Sequence, residues 1–218
     1  QLKQINQFLI KANTCGLISR QEIVSMLPVL LLDIQPTDIV LDLCASPGSK
    51  SGQCIETINQ IDNSKSNRGN FEGGLVSNEL DKKRSFILAH QLNRLQSSSF
   101  LVINNNAIDL ESNIKFDKII CDVPCSGDGA IRKLPERAKN WSPLDAIDLH
   151  PTPQKLLINA LNLVKEGGLV IYSTCSLNTV ENEAVVASVM SKFRKSVELI
   201  DVHKLLPNLK MNSGLNKW

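Results

Sequence analysis

Short apolar runs alternate along the chain with longer amphipathic stretches. Runs with the length and composition of buried strands lie at 39–44, 74–78, 100–104, 118–123 and 169–173, with a further candidate at 197–202. Helices are predicted, from apolar spacing and from stop and start residues, at 50–61, 81–95, 153–164 and 180–193. Strands that alternate with helices predict an α/β fold, a parallel sheet with helices on both faces.

The same pattern divides the chain into two parts. Residues 1–35 are predicted to form an N-terminal helical segment that leads into the core, and residues 36–218 form the main domain. The stretch near 59–74 is rich in Asn, Ser, Gly and charged residues and has no apolar period, so we expect it to be a mobile surface insertion.

The residues that directly follow the predicted strands are the place to look for a ligand. In parallel α/β sheets, ligands bind beyond the carboxyl ends of the strands. These strand ends are polar and rich in Gly, Pro and Cys, and they lie at 44–50, 78–79, 105–106, 122–128 and 174–176. We therefore expect the functional site at this edge of the sheet.

Composition and charge exclude several classes of protein. The chain is 42% hydrophobic and 21% charged, as in an ordinary globular domain. Its longest apolar stretch, 23–32, is broken by Ser25 and Pro28, too short for a membrane span. The net charge of +2 offers little attraction for phosphates. Because the chain begins at Gln1, we expect it to be part of a longer protein that carries further nucleic-acid contacts.

The cysteines and histidines predict reduced thiols and no metal. Six cysteines in a chain of 218 residues form no dense disulfide pattern. No Cys-x-x-Cys pair is present, and His90, His150 and His203 are scattered. A zinc site is therefore not expected.

The first motif, Asp-Leu-Cys-Ala-Ser-Pro-Gly-Ser-Lys at 42–50, joins a strand to a helix through a glycine turn. It matches neither the dinucleotide fingerprint nor the P-loop, which disfavours a phosphate cradle. A ligand with ribose and adenine but no phosphate, such as S-adenosylmethionine, remains open. Glu79 follows the second strand, where an acidic side chain can bind ribose hydroxyls. The alternative is a surface glutamate.

Two further motifs bring thiols to the same edge. In 121–129, an apolar strand ends in Asp122 before the loop that carries Cys125, and in 172–178 a strand delivers Cys175. A buried carboxylate needs a partner, and Lys50 is a plausible one. Cys121 fits the role of a small buried hydrophobe. Two loop thiols beside a carboxylate and a lysine indicate nucleophilic chemistry.

Three strings, DLCASPGSK, CDVPCSGDGAIRK and YSTCSLNTVENEAVV, resemble the motifs of RNA (cytosine-5) methyltransferases of the Sun-domain (nucleolar protein) family, and NELDKKRSFILAHQLNRL also fits. Within that family the chain is most similar to the tRNA-directed branch. The resemblance implies a Rossmann-like S-adenosylmethionine-dependent methyltransferase fold. Its mostly parallel seven-stranded sheet would have an antiparallel last strand, and 36–218 would be the catalytic domain.

The resemblance also assigns residues. Cys175 matches the nucleophile and Cys125 the second cysteine, while Asp122 would assist the base at ring nitrogen 3. The cofactor would contact Cys44, Ala45, Ser46, Pro47, Gly48, Ser49, Lys50, Glu79, Asn106 and Asp122. Family members usually carry Asp where this chain has Asn106, so we expect Asn106→Asp to keep or tighten cofactor binding.

These observations predict an RNA cytosine-5 methyltransferase that acts on tRNA, as a monomer without metal or membrane attachment, in the nucleus or nucleolus. Alternatives are a methyltransferase for ribosomal or another RNA, an inactive RNA-binding relative, and a cysteine hydrolase, although no histidine lies at a predicted strand end. Four basic residues are expected to contact RNA phosphates, with the equal alternative that they form a solvated face of a loop or helix: Arg132, Lys133, Arg137 and Lys139.

Overall fold

A computed structural model describes residues 2–62 and 73–217. The strands are β1 Ile39–Asp42, β2 Gly74–Asn78, β3 Phe100–Ile103, β4 Phe116–Asp122 and β5 Val164–Ser173. The helices are α1 Leu2–Thr14, α2 Ile23–Leu31, α3 Ser49–Asp62, α4 Lys82–Asn93, α5 Glu136–Asn140, α6 Pro143–Leu149, α7 Pro151–Leu163 and α8 Glu183–Phe193. The α/β prediction is confirmed.

The strands form one sheet in the order β3-β2-β1-β4-β5, and every pair is parallel. The chain first adds strands on one side of β1 and then crosses to the other side with β4. This reversal between β1 and β4 is a topological switch point, where the connecting loops diverge and leave a crevice at the carboxyl ends.

Helices cover both faces of the sheet because neighbouring strand residues point to opposite sides. On one face, Val40 and Ile120 pack in a cluster with residues of α2, α3 and α4, among them Val29, Ile55, Ile58, Leu88 and Leu92. On the other, Leu41 and Ile119 pack with residues of α7 and α8, among them Leu156, Ala160, Leu163, Val185 and Val189. The apolar runs read from the sequence are therefore the buried centre of the domain.

The predicted seven-stranded sheet and the strand at 197–202 are not found. Among the described residues the sheet has five strands and no antiparallel member. Leu199 is 71% exposed and Ile200 is 51% exposed, and a short 3₁₀ turn occupies Val202–Lys204. An isolated apolar run forms a strand only where a neighbouring strand accepts its backbone hydrogen bonds, and no strand in the described part of the chain pairs with this run.

Only the two ends of the insertion predicted near 59–74 lie within the described residues. Helix α3 continues to Asp62 and β2 begins at Gly74. The remainder of the insertion lies outside the described residues. In the N-terminal 35 residues, α2 buries Val29 against the sheet, whereas α1 buries only Ala12. No helix in the described ranges has the length and apolar character needed to cross a membrane.

Candidate active site

The loops that follow the strands meet at the carboxyl edge of the sheet. Backbone hydrogen bonds connect them: Val123 N donates to Ser173 O at 3.1 Å, and Ala45 N donates to Asn78 O at 2.9 Å. The first bond joins the loops after β4 and β5, and the second joins those after β1 and β2. The three motifs thus form one site that spans the switch point.

Lys50 and Asp122 are joined across this site. Lys50 Nζ lies 2.6 Å from Asp122 Oδ2, and Ser173 Oγ donates to Asp122 Oδ1 at 2.6 Å. The Lys50 side chain is only 15% exposed, so water screens the pair little. The first turn of α3 supplies the lysine and the end of β4 the carboxylate, which is the pairing that the sequence suggested.

Asp42, at the end of β1, has a buried carboxyl group that was not predicted as a site residue from the sequence. Ser51 Oγ donates to its Oδ2 at 2.7 Å, while Oδ1 has no partner among the described residues. Burial raises the pKa of Asp42 to about 7, and the nearby charge of Asp122 adds to the shift. An acidic residue inside the apolar run 39–44 was the available signal.

Glu79 and the loop after β1 are connected by an arginine. Glu79 is buried, which excludes the alternative of a surface glutamate, and its Oε1 accepts from Asp81 N at 2.9 Å. Arg84 lies 3.6 Å from Glu79 Oε2 and donates to Ser46 O at 3.0 Å. The role of Arg84 was not predicted, because the position of an exposed arginine on a helix does not indicate which loop its side chain contacts.

The loop itself is shaped by a glycine. Gly48 has a φ of +108°, and an added Cβ would lie 2.9 Å from Leu88 Cδ1. Only glycine takes this conformation without strain. Cys44, at the start of the loop, is half-buried, and burial raises the pKa of its thiol to about 12, so this thiol stays neutral.

Asn106 stands apart from the buried groups. Its Oδ1 accepts from Ile108 N at 3.1 Å, and its Nδ2 donates to Asp109 Oδ2 at 2.6 Å. The backbone donor fixes which end of the amide faces Asp109. A carboxylate in place of Asn106 would face another carboxylate.

Two thiols lie in contact at the mouth of the site. Cys125 Sγ is 3.2 Å from Cys175 Sγ, and Cys175 N donates to Cys125 Sγ at 3.3 Å. The hydrogen bond from Cys125 lowers the pKa of Cys175 to about 6, helped by the charge of Arg137 and opposed by burial. The same bond, with burial, raises the pKa of Cys125 well above its usual range. These opposite shifts favour Cys175 as the thiolate and Cys125 as its donor.

The pH dependence of alkylation should reveal this assignment. We expect the rate at which iodoacetamide modifies Cys175 to reach half its plateau near pH 6, since the thiolate reacts and is lost as the pH falls through the pKa. Cys125→Ala removes the donor, and the midpoint should move up toward the ordinary thiol value of about 8.5. Peptide mass spectrometry separates Cys175 from the other thiols.

A matched variant, Cys125→Ser, keeps a hydroxyl donor at the same position and should show a midpoint between the other two. Identical pH profiles for the wild type and Cys125→Ala would contradict the assignment of the thiolate to Cys175.

Of the four predicted basic residues, one reaches the thiols. Arg137 donates to Ser126 O at 2.8 Å, next to Cys125. Lys133 pairs with Glu22, Lys139 pairs with Glu136, and Arg132 is exposed. Arg137 thus acts on the thiols electrostatically, a role that its spacing from Cys175 in the sequence does not indicate.

The histidines offer the thiols no general base. His150 Nδ1 lies 2.7 Å from the carbonyl of Val180, His203 Nδ1 lies 3.0 Å from Asp201, and His90 belongs to α4. A cysteine hydrolase needs a histidine beside its thiol. Across residues 2–62 and 73–217, no group of three His, Cys, Asp or Glu side chains is arranged to hold a metal ion.

Comparison with known proteins agrees with this geometry. The chain is 42% identical over 242 aligned positions to a multisite-specific tRNA:(cytosine-C(5))-methyltransferase, trm4b, of Schizosaccharomyces pombe, with 100% of the chain and 35% of the relative covered. It is 34% identical to the ribosomal RNA small subunit methyltransferase F of Salmonella arizonae, with 88% and 39% covered. The chain therefore spans about a third of the length of these curated relatives.

The fold comparison leads to the same group. A methyltransferase homologue from Pyrococcus horikoshii is 30% identical and superposes with a TM-score of 0.68, over 82% of the chain and 52% of that structure. A model of the family described as 16S rRNA methyltransferase RsmB/F matches residues 29–214. The match covers all three strand-end motifs and both thiols, and it confirms the resemblance drawn from those motifs: the chain belongs to the RsmB/F family of RNA methyltransferases.

Proposed function

We propose that the chain is the catalytic part of an RNA cytosine-5 methyltransferase that modifies tRNA with S-adenosylmethionine as the methyl donor. The observation that carries the proposal is the contact of 3.2 Å between the sulfur atoms of Cys125 and Cys175, at the edge that also holds Asp122 and Lys50. The higher identity to the tRNA enzyme than to the ribosomal RNA enzyme supports tRNA as the substrate.

The residues at the switch point fit S-adenosylmethionine. The Gly48 turn lets the loop after β1 pack closely against Leu88 of α4, and α3 begins directly after it at Ser49, so the loop joins a strand end to a helix start at the switch point. Glu79 Oε2 makes no hydrogen bond to described residues and can accept from ribose hydroxyls. We infer that this loop, Lys50, Glu79, Asn106 and Asp122 hold the cofactor, which supplies a methyl group on a positively charged sulfur.

The thiols and the ion pair account for activation of the base. Carbon 5 of cytosine is a weak nucleophile until a group adds at carbon 6. The Cys175 thiolate forms the bond to carbon 6, and the displaced electron pair moves toward ring nitrogen 3. There, a proton that Asp122 receives from Lys50 can pass to ring nitrogen 3 and neutralise the developing charge, and it returns to the pair before the product leaves. Carbon 5 then carries the electron density that attacks the methyl group.

Release of the product requires a base, and Cys125 fits this role. Once Cys175 has become a thioether it carries no charge, so the interaction that kept Cys125 protonated is lost. Cys125 can then ionise to solvent and take the proton from carbon 5. The electron pair of that bond re-forms the ring double bond, and the sulfur–carbon 6 bond breaks to return the Cys175 thiolate.

The proposal is tested by incubating the protein with methyl-tritiated S-adenosylmethionine and either tRNA transcripts or small-subunit ribosomal RNA, followed by bisulfite sequencing. We expect label at cytosines of tRNA. Label confined to ribosomal RNA would establish the second candidate, a ribosomal RNA methyltransferase. Cofactor binding without transfer to either RNA would indicate an inactive relative.

The environment of Asn106 reverses the expectation drawn from the sequence. Asn106→Asp should weaken cofactor binding about two- to fivefold, because the new carboxylate faces Asp109, and exposed charge pairs contribute up to about 1 kcal/mol. The double variant Asn106→Asp/Asp109→Asn should recover the wild-type dissociation constant in calorimetry. Tighter binding by Asn106→Asp alone would show that Asp109 does not influence the site.

The monomeric state and the nuclear or nucleolar location stay predictions from the resemblance. Both can be checked on the expressed protein, by light scattering and by imaging.

A further inference from the structure

Glu181, between β5 and α8, is a charged residue with no access to solvent. Ser126 N donates to Oε1 at 2.7 Å, and the hydroxyls of Ser126 and Ser176 each donate to Oε2 at 2.6 Å. A buried carboxylate is tolerated only when such donors replace water. These three bonds supply that replacement, and within the described part of the chain no lysine or arginine forms an ion pair with Glu181.

The two serines that bind Glu181 are each the residue that follows a site cysteine. Ser126 follows Cys125 in the loop after β4, and Ser176 follows Cys175 in the loop after β5. One carboxylate thus ties together two loops that are 50 residues apart in sequence at their thiols. No other side chain in the described residues bonds to both serines.

Glu181 is itself fixed to the sheet. Tyr172, on β5, donates its hydroxyl to the Glu181 carbonyl at 2.5 Å. The carboxylate is therefore attached to the sheet rather than part of a mobile surface group. The two loops are also joined by Gly129 N, which donates to the Cys175 carbonyl at 3.1 Å, and by Leu177 N, which donates to Asp128 Oδ1 at 2.9 Å, but only Glu181 bonds to both residues that follow the thiols among the described residues.

We propose that Glu181 is the positioning residue that holds the Cys125 and Cys175 loops at the separation where one thiol donates to the other. This inference rests on the proposed function, because it gives the thiol pair its catalytic geometry. Glu181 does not touch the substrate or the cofactor. Its effect is on Cys175 reactivity, which depends on the distance to Cys125.

The three bonds to Glu181 suit a carboxylate, which offers Oε1 to Ser126 N and Oε2 to two hydroxyls. Glu181→Gln leaves one acceptor oxygen, and its NH₂ group can bond to a serine only if the hydroxyl turns to accept, so the charge-assisted bonds that hold the loops are weakened. Glu181→Asp keeps two acceptor oxygens on a side chain that is one methylene shorter. Glu183→Gln is a matched control, since Glu183 lies two residues away and its Oε1 accepts only from Leu215 N at 3.0 Å.

The test measures the thiols without RNA or cofactor, so it is independent of methyl transfer. Phenylarsine oxide bridges two neighbouring thiols and reports their proximity, and alkylation at varied pH reports the ionisation of Cys175. The titratable and charged groups that act on Cys175 are Cys125, Arg137 and Asp122, and none of them is altered by the variants.

We expect Glu181→Gln to bind phenylarsine oxide at least tenfold more weakly and to alkylate Cys175 about tenfold more slowly at pH 7, because the thiolate fraction falls as the pKa returns toward about 8.5. Glu181→Asp should recover part of both effects, and Glu183→Gln should match the wild type. Wild-type behaviour of a folded Glu181→Gln would overturn the proposal.

If Glu181→Gln fails to fold, the serine variants carry the test. Ser126→Ala and Ser176→Ala each remove one hydroxyl bond to Glu181, and Ser176→Ala also removes the acceptor of Asn178 N. Both variants should shift both readouts in the same direction, with a larger shift in the double variant. An unchanged double variant would overturn the proposal. If the wild type methylates no RNA, the proposed function is refuted instead. The thiol measurements then still decide whether Glu181 positions the two loops.

Discussion

Cys125→Ala is expected to accumulate a covalent protein–RNA adduct, whereas Cys175→Ala forms neither adduct nor product. In the proposed mechanism Cys175 supplies the bond to carbon 6, so its loss removes the first step. Cys125→Ala still attacks and still transfers the methyl group, but it lacks the group that takes the proton from carbon 5. General-base assistance contributes about 10²- to 10⁴-fold, so release should slow by that amount and the adduct should persist.

The structure gives this assignment a physical basis. Cys175 is the more exposed of the two thiols and has its pKa lowered to about 6, whereas Cys125 is partly buried and donates to it. End-labelled tRNA on a denaturing gel detects the adduct, and the double variant should give none. An adduct that forms in Cys175→Ala and disappears in Cys125→Ala would exchange the two roles.

Loss of either partner of the Lys50–Asp122 pair should remove most of the stabilisation that the cofactor gives. S-adenosylmethionine is expected to raise the melting temperature of the wild type, because a ligand that binds only the native state stabilises it by mass action. Asp122→Ala leaves the lysine, whose side chain is 15% exposed, without its partner. We expect about 1–3 kcal/mol lower stability from the unpaired charge and at least tenfold weaker cofactor binding.

A second ion pair of the sheet serves as the control. Lys165 Nζ lies 2.7 Å from Asp117 Oδ1, near the opposite end of β4 from Asp122. Lys165→Ala should lower the melting temperature slightly and leave the cofactor-induced shift intact. Thermal melts with and without S-adenosylmethionine make the comparison. Unchanged shifts in both Lys50→Ala and Asp122→Ala would place the cofactor elsewhere.

The sequence alone determined the class of fold and the edge that carries the site. The runs at 39–44, 74–78 and 118–123 became β1, β2 and β4 because a strand covered by helices on both faces is mainly apolar, with polar residues at its carboxyl end. Because parallel strands end at the same edge of a sheet, the sequence alone predicted that Cys125, Cys175 and Lys50 lie close together. Cys121 was likewise identified as a core residue, and it is fully buried.

The sequence pattern was insufficient where the outcome depends on which neighbour a residue meets. The run at 197–202 has the composition of a strand, but Leu199 and Ile200 stay exposed, and no strand of the described residues pairs with its backbone. The expectation for Asn106→Asp considered only the negative charge that Asp would supply to the cofactor. In the structure, the side chain of Asn106 donates to Asp109, and this carboxylate determines its environment. In both cases the missing information was the identity of a neighbour.

The resemblance assigned Cys175 as the nucleophile, but only the tertiary structure showed what lowers the pKa of its thiol and what holds the pair together. The ionisation of Cys175 depends on a sulfur atom 3.2 Å away and on Arg137, while the geometry of both loops depends on Glu181. Hydrogen bonds and electrostatic shifts of this kind change within an ångström, and the spacing of residues along a chain does not specify distances at that scale. The sequence determines which groups meet, and packing of the sheet and its loops determines the distances on which their chemistry depends.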